Sequence, residues 1–183
     1  MTTEPATGPP RTEPAASGVE PSDVESAGID LLALEKQLCF ALAVASRSVI
    51  AEYRPILEPL GLTHPQYLVM LALWEREPRS LRDLADALRL EPATLSPLVK
   101  RLEAAGYVTR QRSTSDERSL AVQLTPAGRE LRGRAEGVPP QVIAALGVDV
   151  GELLELQRRL TAIIDRIAPL AGAEVAPPVT APR

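Results

Sequence analysis

Residues 79–125 run RSLRDLADALRL, EPATLSPLVKRLEAAG and YVTRQRSTSDERSLAVQLT. Ser80 and Asp83, three residues apart, form a capping box in which each side chain satisfies a backbone N–H at a helix start. Leu81, Leu84, Ala85 and Leu88 recur at helical spacing and bury one face. After a break at Leu90–Glu91, Pro92 suits the first turn of a second helix, where its missing N–H costs nothing. Gly106 ends that helix as a left-handed cap. Two short helices across a tight break are a helix-turn-helix.

The second helix has two faces. At 100° per residue, Leu95, Leu98, Val99, Leu102 and Ala105 share one side. Ala93, Ser96, Pro97 and Lys100 share the other, with Thr94 and Arg101 at its edges. Small, hydroxyl and basic groups can enter a major groove and reach base edges and phosphates. Pro97 is the exception in this helix: an interior proline removes a backbone hydrogen bond and should kink it.

A hairpin follows. Leu120, Val122 and Leu124 alternate with Ala121 and Gln123, a period of two. Tyr107 to Arg112 is the partner strand, and the polar STSDER between them is turn-prone. Arg110, Arg112 and Arg118 make the ribbon's exposed side positive. A helix-turn-helix followed by a basic ribbon predicts a winged helix that binds DNA.

Composition agrees. The chain has 183 residues and a formal net charge of −4, which argues against indiscriminate coating of nucleic acid. Residues 79–134 hold 11 Lys and Arg against 7 Asp and Glu, a net of +4, and the remainder a net of −8. A basic module on an acidic body suits a specific DNA binder. One cysteine excludes an intrachain disulfide and a zinc-finger cluster. No metal site and no cofactor is expected. No apolar run reaches the length of a membrane span and no apolar signal core opens the chain, so a cytosolic protein is expected.

Residues 1–28 are rich in Pro, Thr, Glu, Ala and Ser, and residues 170–183 in Pro; both tails read as disordered. Residues 29–169 form the expected domain, with a DNA-binding core at 63–125. Asp30 is placed to cap a helix starting at Leu31 whose stripe is Leu31, Leu34, Leu38, Leu42, Ala45, Val49 and Tyr53. Pro55, Pro59 and Gly61 close it. Thr63 and Gln66 cap the next helix, whose Tyr67–Trp74 segment is apolar nearly all round and therefore central. Thr125–Pro126 opens a helix interrupted near Gly137–Pro140. The last helix, about 149–168, spaces Leu153, Leu156, Leu160, Ile163 and Ile167 in a 3-4-3-4 pattern, a seam for another helix within the chain or on a second copy. The fold class is therefore mainly α with a small β-hairpin wing: a winged helix-turn-helix with an N- and C-terminal helical dimerisation layer. A two-fold homodimer suits a palindromic operator in double-stranded DNA.

The segment KRLEAAGYVTRQRSTSDERSLAVQLTPAGRE, with Asp116-x-Arg118 and the LTPxG ending, resembles the wing of the MarR family of bacterial transcription regulators. The resemblance covers about residues 30–168. It implies that Arg118 enters the minor groove and that Asp116 orients nearby basic groups. QLCFAL, YRP, LGLTxPQYLVMLALWE and LSPLVKRLE resemble that family's organic-hydroperoxide-sensing branch. That likeness implies a redox-sensing cysteine at Cys39 and a tyrosine donor at Tyr53. A second family tyrosine is Ala43 here and a third is His64, which can still donate. By itself, a lone cysteine on an apolar helix reads as a small buried hydrophobe.

Fourteen residues separate Cys39 from Tyr53, about 21 Å along a straight helix at 1.5 Å per residue. A functional pair therefore has to form between subunits. The resulting expectation is a homodimeric repressor that releases DNA when organic hydroperoxide oxidises Cys39, with a small-molecule thiol capping the product. The alternative is a repressor responding to a small phenolic or acidic ligand, with Cys39 an inert core residue. An enzyme, a one-cysteine thiol peroxidase, would leave the winged helix without a task, so none is expected.

Overall fold

The computed structural model describes residue 30 and residues 32–112 and 120–167. It divides into two compact units, one ending at Val44 and the other beginning at Ala45.

The first helix differs from expectation. The Asp30 carboxylate accepts the Leu32 N–H at 2.9 Å and the Asp30 carbonyl accepts the Ala33 N–H at 3.1 Å. These bonds close a local turn instead of capping a long helix. A single 3₁₀ turn, Leu34–Lys36, follows, and Gln37 is extended at φ −78° and ψ 117°. Helix α1 therefore runs Leu38–Leu57, with Leu34 outside it and Pro55 inside its last turn. Cys39 stands in its first turn. A 3₁₀ turn at Glu58–Leu60 then ends on Gly61, whose φ of +67° suits a residue without a Cβ.

Helix α2 (His64–Glu75) begins as expected: the Thr63 N–H donates to Gln66 Oε1 at 2.8 Å. Strand β1 (Arg79–Ser80) leads directly into helix α3 (Leu81–Leu88). The Asp83 N–H donates to Ser80 Oγ at 3.0 Å and the Ser80 N–H to Asp83 Oδ2 at 3.2 Å. The Ser80 groups hold the Asp83 carboxyl below the usual carboxylate range. Arg89 ends α3 in the left-handed region at φ +51°. Helix α4 (Pro92–Ala104) passes through Pro97 as one unbroken element. Its end is a Schellman motif: the Gly106 N–H reaches the Glu103 carbonyl and the Tyr107 N–H reaches that of Leu102, both at 3.0 Å. Gly106 has φ +79°.

Strands β2 (Val108–Arg112) and β3 (Leu120–Leu124) pair antiparallel with Val108 opposite Leu124 and Arg110 opposite Val122. The hairpin gains a third strand that periodicity did not reveal. β1 pairs with β3, Ser80 opposite Ala121, so the order is β1-β3-β2. That pairing buries Ala121, while Leu120 at the strand end is exposed.

Thr125 caps helix α5 (Pro126–Ala135) by accepting the Gly128 N–H at 3.0 Å. A Cβ on Gly128 would overlap the Tyr107 carbonyl oxygen, so this close approach requires glycine. Helices α6 (Val138–Leu146) and α7 (Val150–Ile167) complete the chain.

The core joins Val69, Met70 and Leu73 of α2 to Leu84 of α3, Leu95, Val99 and Leu102 of α4, Val122 of β3 and Leu131 of α5. Each fully buried side chain of this kind contributes roughly 1.5–3 kcal/mol. Ala105, expected inside, is exposed because the helix turns at that point. No residue of α7 is buried, and Leu156 and Ile167 are each 54% exposed. Of the α7 stripe, Leu153, Leu160 and Ile163 are half-buried, and Leu156 and Ile167 are left exposed by the described residues.

Candidate functional site

α4 is placed by its own apolar face. Leu95, Val99 and Leu102 lock into the core, which turns Thr94, Ser96, Pro97, Lys100 and Arg101 outward. α3 packs against it across the Arg89 joint. The outward set is one continuous exposed surface of hydroxyl and basic groups, and its shape is that of a helix that can lie in a groove. Pro97 sits on this exposed side, where the carbonyl it leaves without a helix partner is not forced into the core.

The wing strands differ from expectation at Arg110. Arg110 lies opposite the fully buried Val122, so it shares the core-side face of the ribbon instead of its outer face. Its Nε donates to Glu103 Oε2 at 2.9 Å, its Nη2 reaches the same oxygen, and its backbone N–H donates to Glu103 Oε1 at 3.3 Å. This fork holds the Glu103 carboxyl below its usual range and pushes the guanidinium up. Glu103 was missed by sequence reasoning, and no periodicity points to it. Arg112 is the last residue of β2; Asp116 and Arg118 lie outside the described residues.

The first-unit residue of interest, Cys39, is exposed and free. Cys39 follows the 3₁₀ turn and Gln37, one residue into α1. In the second unit, Tyr53 and His64 meet edge to face, with ring centroids 4.8 Å apart at 62°. Tyr67 lies 6.1 Å beyond Tyr53, and Trp74 lies 6.3 Å from Tyr67. Burial pushes the Tyr53 phenol up and the His64 imidazole down. At neutral pH Tyr53 therefore keeps its proton as a donor, and His64 is neutral. A cleft of about 530 Å³ beside this pair is lined by Ile50, Arg54, Glu58, Leu62, His64 and Pro65.

Among the described residues, no cluster of His, Cys, Asp or Glu could hold a metal ion, and no helix is long and apolar enough to cross a membrane.

A three-stranded winged helix with an exposed basic reading helix defines a DNA-binding transcriptional regulator. Residues 62–120 match the model of the MarR family. The chain is 36% identical over 138 residues to the organic hydroperoxide resistance transcriptional regulator of Bacillus subtilis, an alignment covering 75% of this chain and 94% of that one. The protein belongs to the MarR family. It is also similar to the solved structure of reduced AbfR bound to DNA, a Staphylococcus epidermidis protein, with 33% identity, a TM-score of 0.61 and coverage of 74% and 94%. A third likeness is to CouR from Rhodococcus jostii bound to p-coumaroyl-CoA, at 28% identity and TM-score 0.61 over 72% and 94% of the two chains.

Proposed function

We propose that the chain is a homodimeric, oxidation-responsive repressor whose switch is Cys39. The exposure of Cys39 carries this reading: a thiol in the first turn of α1, off the core, is open to a small oxidant. The similarity to a hydroperoxide-resistance regulator supports it. The partly exposed stripes of α7 and of α1, where Leu38 is 61% exposed, favour a second copy as cover. α4, with Thr94, Ser96, Pro97, Lys100 and Arg101, reads a palindromic operator, and Arg112, Asp116 and Arg118 serve the wing. The Cys39 sulfur, as thiolate, attacks one oxygen of the O–O bond of an organic hydroperoxide. That bond breaks, the alcohol leaves, and sulfur is oxidised by two electrons to the sulfenic acid. A small-molecule thiol condenses with it, forming a mixed disulfide and releasing water. The larger group disturbs the dimer layer, which carries the two reading helices. Because Cys39 and Tyr53 are too far apart on one straight helix, the Tyr53 donor and its His64 neighbour serve the partner's cysteine.

The test is DNA retention with and without cumene hydroperoxide and glutathione. Wild type should release DNA and Cys39→Ser should bind but not release. Hydroperoxide-driven release from Cys39→Ser would overturn the reading.

A second reading is supported by the cleft beside His64, where Arg54 offers a cation next to apolar Ile50 and Leu62, and by the likeness to CouR. It is a repressor released by a small phenolic or aromatic acid. Release of the Cys39→Ser protein by a hydroxybenzoate, abolished by Arg54→Ala, would favour it.

A further inference from the structure

The reading helix and the wing are joined by one carboxylate. Glu103 lies in the last turn of α4, and its two oxygens take three donors from one residue of β2: the guanidinium Nε and Nη2 of Arg110 and its backbone N–H. Among the described residues β2 is an edge strand, with β3 on one side and no strand on the other. The Arg110 N–H is thus a donor that the sheet does not use, and the helix supplies its acceptor. Both side chains are about one-third exposed, at 33% and 32%. A surface ion pair of long side chains is ordinarily weak, but two guanidinium donors converging on Oε2 and a backbone N–H on Oε1 fix direction as well as distance.

We propose that Glu103 is a positioning residue for DNA binding, setting the angle of the wing to the reading helix through Arg110. This rests on the DNA-binding reading of α4 and the hairpin. A regulator that inserts a helix in one groove and a ribbon beside it needs both elements in register at once. Freedom between them must be lost on binding if it is not removed beforehand. The proposal also gives Arg110 a different role: its guanidinium is engaged by Glu103, so it orients the strand and is not a free phosphate contact.

The sign of one mutation separates this role from simple electrostatics. Removing an acidic group from a DNA-facing module should strengthen binding to a polyanion. If Glu103 positions the wing, its loss weakens binding. The full-length protein is titrated with a duplex that wild type has enriched from a random-sequence pool, over a series of salt concentrations. Glu103→Ala should lose affinity on the order of tenfold, within the range of directly coupled residues. Its salt dependence should become shallower as wing–phosphate contacts drop out. A purely stabilising role would lower the melting temperature and the active fraction and leave that slope alone. Arg110→Ala should match Glu103→Ala, and the double variant should be no weaker than either. Glu103→Gln, which keeps the shape and one acceptor, should fall between and carries the test if the alanine variant does not fold. Lys100→Ala reports on the DNA reading itself. If it weakens binding while Glu103→Ala binds as well as wild type or better, the DNA reading stands and this inference is overturned. Additive losses for Glu103 and Arg110 would also overturn it. Failure of wild type to enrich any duplex would overturn both.

Discussion

Helices α2 and α7 are both rich in large apolar residues and end in opposite situations. α2 packs most of its apolar surface within its own chain: Val69, Met70 and Leu73 are all at most 1% exposed, though Leu71 is 41% exposed. No described residue of α7 is fully buried: Leu153, Leu160 and Ile163 are half-buried, and Leu156 and Ile167 are each 54% exposed. The difference lies in pattern, not in amount. Apolar groups all round a helix need cover on every side, which only a centre supplies. A single stripe beside Glu155, which pairs with both Arg158 and Arg159 along the helix, needs cover on one side and keeps the other wet. One helix fills the core of its own chain and the other keeps an apolar stripe partly exposed.

The comparison can be broken at several points. Leu73→Ala should cost the fold about 2–5 kcal/mol, the usual loss for a large core residue cut to a methyl. Denaturant melts at fixed protein concentration measure it. A loss under 1 kcal/mol would mean that α2 is not the centre. Leu160→Asp should leave the winged helix folded and weaken the dimer by roughly ten- to a hundredfold, from about 1–3 kcal/mol of uncompensated burial. Analytical ultracentrifugation decides it; a dimer of unchanged affinity would show that the stripe meets no partner. Smaller effects lie where the two regions touch. Arg89, at the joint between α3 and α4, reaches Asp165 of α7 at 2.9 Å, with both side chains more than half exposed. A double-mutant cycle of Arg89→Ala and Asp165→Asn should find a coupling of about 0.2–1 kcal/mol, reduced by salt. Zero coupling at low salt would leave the contact without energetic weight.

The smallest effect is in pH. Burial lowers the His64 pKa, so the unfolded chain binds that proton more readily than the folded one. Stability is therefore present above the ordinary histidine value, about 6.5, and falls as pH drops below it. His64→Gln should flatten this fall in melting temperature between about pH 7 and 5. An unchanged profile would assign the proton to another group.

Much of this architecture was legible in local chemistry. The Ser80–Asp83 and Thr63–Gln66 boxes, the Gly106 cap and the faces of α4 are short-range signals, and each is found where the residues placed it, except that Ala105 at the end of α4 is exposed. The parts that were not legible depend on contacts made across the chain. β1 is two residues long and has no period to detect; it exists because β3 offers an edge. The start of α1 moved because Asp30 satisfied a nearer donor than the helix. The charge of Arg110 suggests the outer face, but strand alternation overrides it: Val108, two residues earlier, and Val122, opposite Arg110, mark the inner face. The seam residues Leu153, Leu156, Leu160, Ile163 and Ile167 were found by spacing, which does not say whether the partner helix belongs to the same chain. The edge-to-face contact of His64 with Tyr53 could not be read from residues 11 positions apart in sequence.

Arg89 has one more consequence, for protein engineering. Its backbone is left-handed, at φ 51° and ψ 44°, which costs an L-residue with a Cβ about 1–2 kcal/mol and costs glycine almost nothing. A designer optimising thermal tolerance alone would write glycine at this position and expect a gain. The same substitution would delete the guanidinium that ties the joint of the two short helices to α7. The sturdier domain would then be the less connected one, so this joint is a residue to leave untouched in any stabilised version of the protein.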